Sequence, residues 1–288
     1  MIETSNVIEE TKWDKVIRSD SKESFVDLRK IWDYKDLILL FIKRDFIIYY
    51  KQTILGPLWY LLQPLLSTMM YMVVFGTLAN IGTDSIPQPL FYLSGTMLWT
   101  YFSGTITDVS NVFSHNKDIF GKVYFPRMTV PIASMCSLLI KLGIQLVMFF
   151  GVYLFYVFNG IDVGASAKIL MFPIYVIWVG ILGCGLGMLV SAITTKYKDL
   201  SLALTFLVSL YMYATPVVYP LSQVPEKWRL YFCINPICAP MELFRYSFFG
   251  CSAIPKEAVI YSGVITILIF MFGMRVFNIN EKSFVDVI

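Results

Sequence analysis

The side chains of this chain that could do chemistry are few and far apart. An aspartate, Asp108, and a lysine, Lys141, each stand inside a long apolar run, Glu242 and Arg245 lie three positions apart, and the single histidine, His115, shares a polar stretch with Asn116, Asp118, Phe120 and Lys122. Enzymes working inside a membrane need several carboxylates and bases acting together. Two isolated intramembrane charges fall short of that. No serine, histidine or aspartate stands in a nucleophile context. A metal site is not expected either, because His115 and the three cysteines Cys233, Cys238 and Cys251 fall on opposite sides of the apolar pattern. Phe120-Gly121-Lys122-Val123 lacks the upstream glycine and the Ser or Thr of a phosphate loop. Gly183-Cys184-Gly185-Leu186-Gly187 lies in the middle of an apolar run with no strand before it, so Gly180, Gly183 and Gly187 read as a close helix-packing face.

The elements that must position these residues are apolar runs of spanning length. Of the 288 residues, 57% are apolar. Roughly 20 helical residues cross a hydrocarbon layer about 30 Å thick. Residues 52–83, 85–107, 128–161, 169–195, 200–225 and 258–274 each meet or approach that length, which predicts an all-α polytopic membrane protein with six transmembrane helices. The run 230–241 is shorter and contains Asn235-Pro236 and Pro240, which suits a re-entrant segment.

Basic residues orient the pattern. Ten of the 23 Lys and Arg precede the first run, and Lys117, Lys122, Arg127, Lys196, Lys198, Arg275 and Lys282 follow the even-numbered ones. Lys and Arg accumulate on the cytoplasmic side, so both termini are expected there. The net charge of +3 reflects this distribution rather than a nucleic-acid surface.

Residues 1–31 read as a cytoplasmic arm without the apolar core of a signal peptide. Residues 32–53 read as an interfacial amphipathic helix. Helical spacing gathers Asp33, Asp36, Lys43, Arg44 and Lys51 on one side, with Tyr34, Phe41, Ile42, Ile48 and Tyr49 on the other; a cytoplasmic helix packed on a partner is the alternative. Gly56-Pro57 predicts a break before the first span. Residues 54–277 form the six-span domain, with a compact loop at 111–127 and an external re-entrant region at 220–255, and 278–288 form a cytoplasmic tail. Glu242 and Arg245 would be neighbours on a short external helix and pair there.

Several motifs, in order and spacing, carry a resemblance from about Trp32 to Gly250. They are Arg44-Asp45 with Tyr50-Lys51 and Leu55-Gly56-Pro57-Leu58-Trp59 to Pro64; Trp99 to Phe102; Asn116 with Lys122-Val123-Tyr124-Phe125-Pro126-Arg127; Tyr197-Lys198-Asp199-Leu200; Thr215-Pro216-Val217-Val218-Tyr219-Pro220; and Asn235-Pro236 followed by Glu242 and Arg245. With them the chain resembles the transmembrane permease subunit of ATP-binding-cassette exporters for cell-surface polysaccharides, the O-antigen (Wzm-like), capsule and teichoic-acid (TagG-like) group. Lys198 departs from the arginine frequent there, and Lys141 has no place in the motif.

The resemblance implies a homodimer bound to two copies of a cytoplasmic ATPase subunit (Wzt-like) that holds the ATP and Mg, with no cofactor in this chain. It implies an inner-membrane location and a lipid-linked polysaccharide, O-antigen above teichoic acid or capsule because of the arm Lys12-Trp13-Asp14-Lys15-Val16-Ile17-Arg18. A coupling helix over Asn111–Lys122 would meet the ATPase through His115, Asn116, Asp118, Phe120 and Lys122. Lys43, Arg44, Lys51 and Lys141 are candidates for the substrate head group. Tyr60, Tyr71, Trp99, Tyr211 and Tyr213 are candidates for a tunnel whose rings cover sugar faces. A membrane-embedded glycan-assembly enzyme and a passive channel are the rival classes.

Overall fold

The computed structural model describes residues 28–51, 54–123, 125–161, 163–164, 167–194, 197, 199–250 and 254–285. Within them every regular element is helical, the arrangement that satisfies each backbone donor inside its own segment when water is absent. The chain opens with α1 (Leu28–Asp33) and α2 (Lys35–Lys51), broken at Tyr34. The break expected at Gly56-Pro57 is a 3-10 turn over Gly56–Leu58 whose Gly56 takes a φ of 51°, a conformation that favours glycine. It leads into α3 (Trp59–Tyr71), which continues as a π-helical segment over Met72–Leu78.

Pro64 lies inside α3 and is buried. Proline has no N–H to give the carbonyl four residues back, and that carbonyl, on Tyr60, instead accepts a hydrogen bond of 3.3 Å from Gln145 Nε2 of α7. Gln145 is 1% exposed, so a buried amide from another helix satisfies the group that Pro64 leaves open.

Then come α4 (Gln88–Ser110), α5 (Val112–His115), α6 (Lys117–Phe120), α7 (Thr129–Phe158), α8 (Phe172–Thr194), α9 (Asp199–Tyr211), α10 (Glu226–Ile234), α11 (Cys238–Phe249) and α12 (Lys256–Val285). Among the described residues four helical stretches are long and apolar enough to cross a membrane: Trp59–Leu78, Thr129–Phe158, Lys168–Thr194 and Lys256–Asn280. The other two expected crossings fall on α4 and on Asp199–Ala214. The first has 23 residues, many with hydroxyls, and the second is apolar but shorter. The serine and threonine hydroxyls of α4 are settled within the helix, among them Thr100 on Thr96 O at 2.7 Å, Thr105 on Tyr101 O at 2.7 Å and Thr107 on Ser103 O at 2.9 Å.

Buried along most of its length, α4 is the central post, packed by α3, α7, α8 and α9, while α12 closes on α8. The glycines of α8 permit this. A Cβ on Gly187 would lie 2.7 Å from Val109 Cβ, and one on Gly183 would lie 3.1 Å from Thr105 Cβ, both on α4. Gly187→Val is therefore expected to cost about 1–3 kcal/mol through overpacking, read as a lower unfolding temperature of the detergent-purified protein.

Two apolar clusters divide the molecule. One fills the body, where Phe149 of α7, Phe172 of α8 and Phe244 and Phe248 of α11 stack edge to face. The other lies at the end carrying α5 and α6 and joins Ile31, Phe41, Phe113, Phe120, Phe125 and Phe277. Through Phe41 it takes in one face of α2, which also lies along α7, while Leu39, Leu40 and Ile48 stay exposed.

The compact loop holds two four-residue helical turns that meet at Asn116, whose φ of −117° and ψ of 17° interrupt the helical ladder. The last helix runs on to Val285, into the segment read as a cytoplasmic tail. The arm up to residue 27, Gln52, Tyr124, Lys198 and Cys251 lie outside the described residues.

Candidate functional site

The ionisable groups that were scattered in sequence converge on a cavity of about 200 Å³ between α2, α3, α4 and α7. Its walls include Arg44 and Asp45 from α2, Tyr60 from α3, Asp108 from α4, Ser134, Ser137 and Lys141 from α7, and His115 and Asn116 from the α5–α6 elbow. Asp108 and Lys141, the two charges that interrupt apolar runs, thus face one space.

Arg44 organises the wall nearest the elbow. Its Nε and Nη2 donate to Asp45 Oδ1 at 3.0 and 2.8 Å, its Nη1 donates to Asn116 Oδ1 at 3.0 Å, and its guanidinium lies 4.8 Å from the centre of the Phe41 ring. Asp45 Oδ2 accepts from Ser137 Oγ at 3.2 Å. Asn116 Nδ2 donates in turn to Val112 O at 3.0 Å, which holds α5 closed. One continuous polar strap therefore runs from α7 through α2 to the elbow. Deeper in, Lys141 Nζ lies 5.4 Å from the centre of the Tyr60 ring, a cation–π contact.

Among the four head-group candidates, Arg44 and Lys141 line this cavity, whereas Lys43 and Lys51 lie on the exposed flank of α2. Arg44 is already neutralised by Asp45, so the cavity is of mixed charge rather than a bare anion hole. Adjacent residues on a helix do not normally face each other, so Asp45 was not legible as the partner of Arg44; the length of the arginine side chain makes the pair. Ser137, 92 positions from Asp45, gave no sequence signal.

The coupling candidates separate by exposure. His115, Asp118 and Lys122 are exposed, but Asn116 and Phe120 are 5% and 7% exposed. Phe120 packs on Phe113 and Phe125, and the Arg127 guanidinium covers its ring at 5.3 Å. As a direct contact for a partner Phe120 must be corrected: it supports the elbow from inside. The elbow is also tied to α9, since Ser201 Oγ donates to Asn111 Oδ1 at 2.8 Å.

At the other end, Glu242 and Arg245 lie within a buried cluster. Arg245 Nη1 lies 3.3 Å from Glu242 Oε1, and the arginine also donates to Pro216 O at 2.6 Å, Val217 O at 2.8 Å and Ser94 Oγ at 3.4 Å. Its guanidinium stands 3.9 Å from the centre of the Phe91 ring. Gly95 makes room, since a Cβ there would lie 2.5 Å from Val217 O and 2.7 Å from Arg245 Nη2. Thr215-Pro216-Val217-Val218 is unwound chain, and Arg245 supplies donors to two of its carbonyls, those of Pro216 and Val217. Sequence spacing suggested the pair but not the carbonyl clamp.

The tunnel candidates do not share one surface. Trp99 is 7% exposed, packed on Phe102 and Tyr211, which leaves it no open face. Tyr211 donates to Asn235 Oδ1 at 2.5 Å, and Asn235 Nδ2 donates to Ala214 O at 3.0 Å, joining the end of α9 to the α10–α11 elbow. Tyr71 lies against Phe75 and Tyr92. Tyr60 belongs to the charged cavity, and Tyr213 alone is widely exposed, at 54%.

A model of the ABC-2 type transporter family matches residues 36–249, from the start of α2 to the end of α11, and so takes in both constellations. This chain belongs to the ABC-2 type transporter family. The transporter is 23% identical over 268 residues to the O-antigen export system permease protein RfbA of Myxococcus xanthus, covering 90% of this chain and 98% of the relative. It is 23% identical over 254 residues to the RfbA permease of Klebsiella pneumoniae, covering 88% and 95%. It is 19% identical over 234 residues to the polysialic acid transport protein KpsM of Escherichia coli, covering 80% and 87%. Family and helices together make this a multi-pass membrane transport protein, and the rival enzyme reading falls away.

Proposed function

We propose that this chain is the membrane-spanning permease subunit of an ATP-driven exporter that moves a lipid-linked cell-surface polysaccharide, most specifically O-antigen, across the bacterial inner membrane. The observation that carries the reading is the end-to-end match to permeases named for O-antigen export. In this reading α4 and Asp199–Ala214 complete six spans, both termini are cytoplasmic, and two copies of the chain bind two copies of a separate ATPase that holds ATP and Mg. His115, Asp118 and Lys122, exposed on the elbow, meet it. Lys43 and Lys51, exposed on α2, meet the anionic head group first at the membrane surface, and the cavity of Arg44 and Lys141 lies behind them.

The similarity to a polysialic acid transport protein supports capsule as the second substrate class. Deletion of the gene decides between them. The expected result is loss of the long-chain glycan from the cell surface with lipid-linked polymer retained inside, both restored by the wild-type gene. Immunoblotting of surface and membrane fractions with separate O-antigen and capsule reagents reads which polymer is lost. An unchanged surface for both overturns the reading.

A further inference from the structure

The strap of Arg44 joins two things that a transporter must keep in register: the space where a charged ligand can sit and the turn that faces a motor. Asn116 stands at the break between α5 and α6, and both ends of its amide are engaged, Oδ1 by Arg44 and Nδ2 with Val112 O. At 5% exposure it has little water to replace a lost donor. Arg44 is different, with a side chain 35% exposed and Asp45 26% exposed, so a ligand can reach the pair.

Lys141 adds the second half. Its contact with the Tyr60 ring uses none of the three N–H donors of the ammonium. A diphosphate in the cavity would find those donors on one side and the guanidinium fork on the other. It carries more charge than the single carboxylate of Asp45 and offers oxygens in the geometry a fork prefers. It can therefore compete for Arg44, and winning that competition moves the group that holds Asn116.

We propose that the Arg44–Asn116 bond is a substrate-released latch, in which a diphosphate head group held by Lys141 in the cavity draws Arg44 off Asn116 and frees the α5–α6 elbow to move with the ATPase. The inference rests on the exporter reading above and adds to it how the permease reports a loaded site. Coupling is reciprocal, so whatever unlocks the elbow also strengthens diphosphate binding. In the latch Arg44 and Asn116 are positioning residues.

The test uses the purified permease–ATPase complex in nanodiscs and follows ATP hydrolysis against farnesyl diphosphate, with farnesol as the uncharged control. In wild type the diphosphate raises hydrolysis and farnesol does not. Asn116→Ala raises the unstimulated rate and lowers the half-maximal diphosphate concentration by about fivefold or more. Arg44→Lys, which keeps the charge but lacks the planar guanidinium fork that spans Asp45 and Asn116, raises the unstimulated rate equally, and the double variant goes no further. Lys141→Met raises the half-maximal concentration. If Arg44→Lys behaves as wild type, Arg44 is a simple charge contact and the latch is wrong; independent, additive effects of the two substitutions overturn it as well, as does a wild type indifferent to the diphosphate. Because Asn116→Ala also removes the bond to Val112 O, Arg44→Lys keeps the test decisive if the elbow of the first variant unfolds. Failure of the exporter reading would show separately, as surface glycan unchanged in the deletion strain.

Discussion

Arg245→Leu is expected to be among the most damaging single substitutions in this protein, costing about 3–5 kcal/mol. It leaves Glu242 buried without its cation and removes the donors to Pro216 O and Val217 O, with which Arg245 makes bonds of 2.6 and 2.8 Å. Glu242→Gln should be far milder, since Arg245 keeps both carbonyls and Ser94 Oγ as acceptors. A double variant with Glu242→Gln and Arg245→Leu should recover only part of the loss, because the unwound carbonyls stay unsatisfied. Heating detergent-solubilised variants and measuring the monodisperse fraction by size-exclusion chromatography gives the order. Full recovery in the double variant would mean that the ion pair alone matters and the carbonyl clamp does not.

Phe120→Ala and Asp118→Ala should fail in different ways although the residues are two apart. Phe120, packed between Phe113 and Phe125 and covered by Arg127, sits in the second apolar cluster, so its truncation is expected to cost about 3–5 kcal/mol. Asp118 is exposed, so its removal should leave the unfolding temperature within about 1 °C to 2 °C of wild type, surface changes being worth about 0.5 kcal/mol, while the yield of ATPase co-purified with the permease falls. Equal loss of thermal stability in both variants would contradict the inside-and-outside division of this elbow. An unchanged ATPase yield with Asp118→Ala would remove that residue from the contact.

The division between these two residues also shows where sequence reading stopped. The polar stretch around His115 announced a compact loop, but a four-residue turn is too short for its periodicity to reveal which side faces inward. That side is set by Phe113 and Phe125, which flank the turn within the loop, and by Phe277, which reaches Phe113 from α12. Similarly, the five aromatic tunnel candidates were chosen by residue type, and type does not tell a ring with an open face from one packed like Trp99.

What the sequence by itself determined is whatever depends on neighbours within a turn or two. The apolar runs became helices because uninterrupted apolar side chains leave the backbone no partner but itself. Gly56-Pro57 broke the chain because only glycine takes the positive φ there freely. Gly183 and Gly187 fell on one helix face because three and four residues make a turn, and Glu242 and Arg245 met for the same reason. The tertiary structure alone decided what those helices bring together. Arg44 meets Asn116 across 72 positions, Asp45 meets Ser137 across 92 and Arg245 meets Ser94 across 151. No local pattern encodes such bonds. They exist because glycine-lined helices pack closely around α4, and a polar group carried into that interior must be paired with whichever donor or acceptor the packing has delivered beside it.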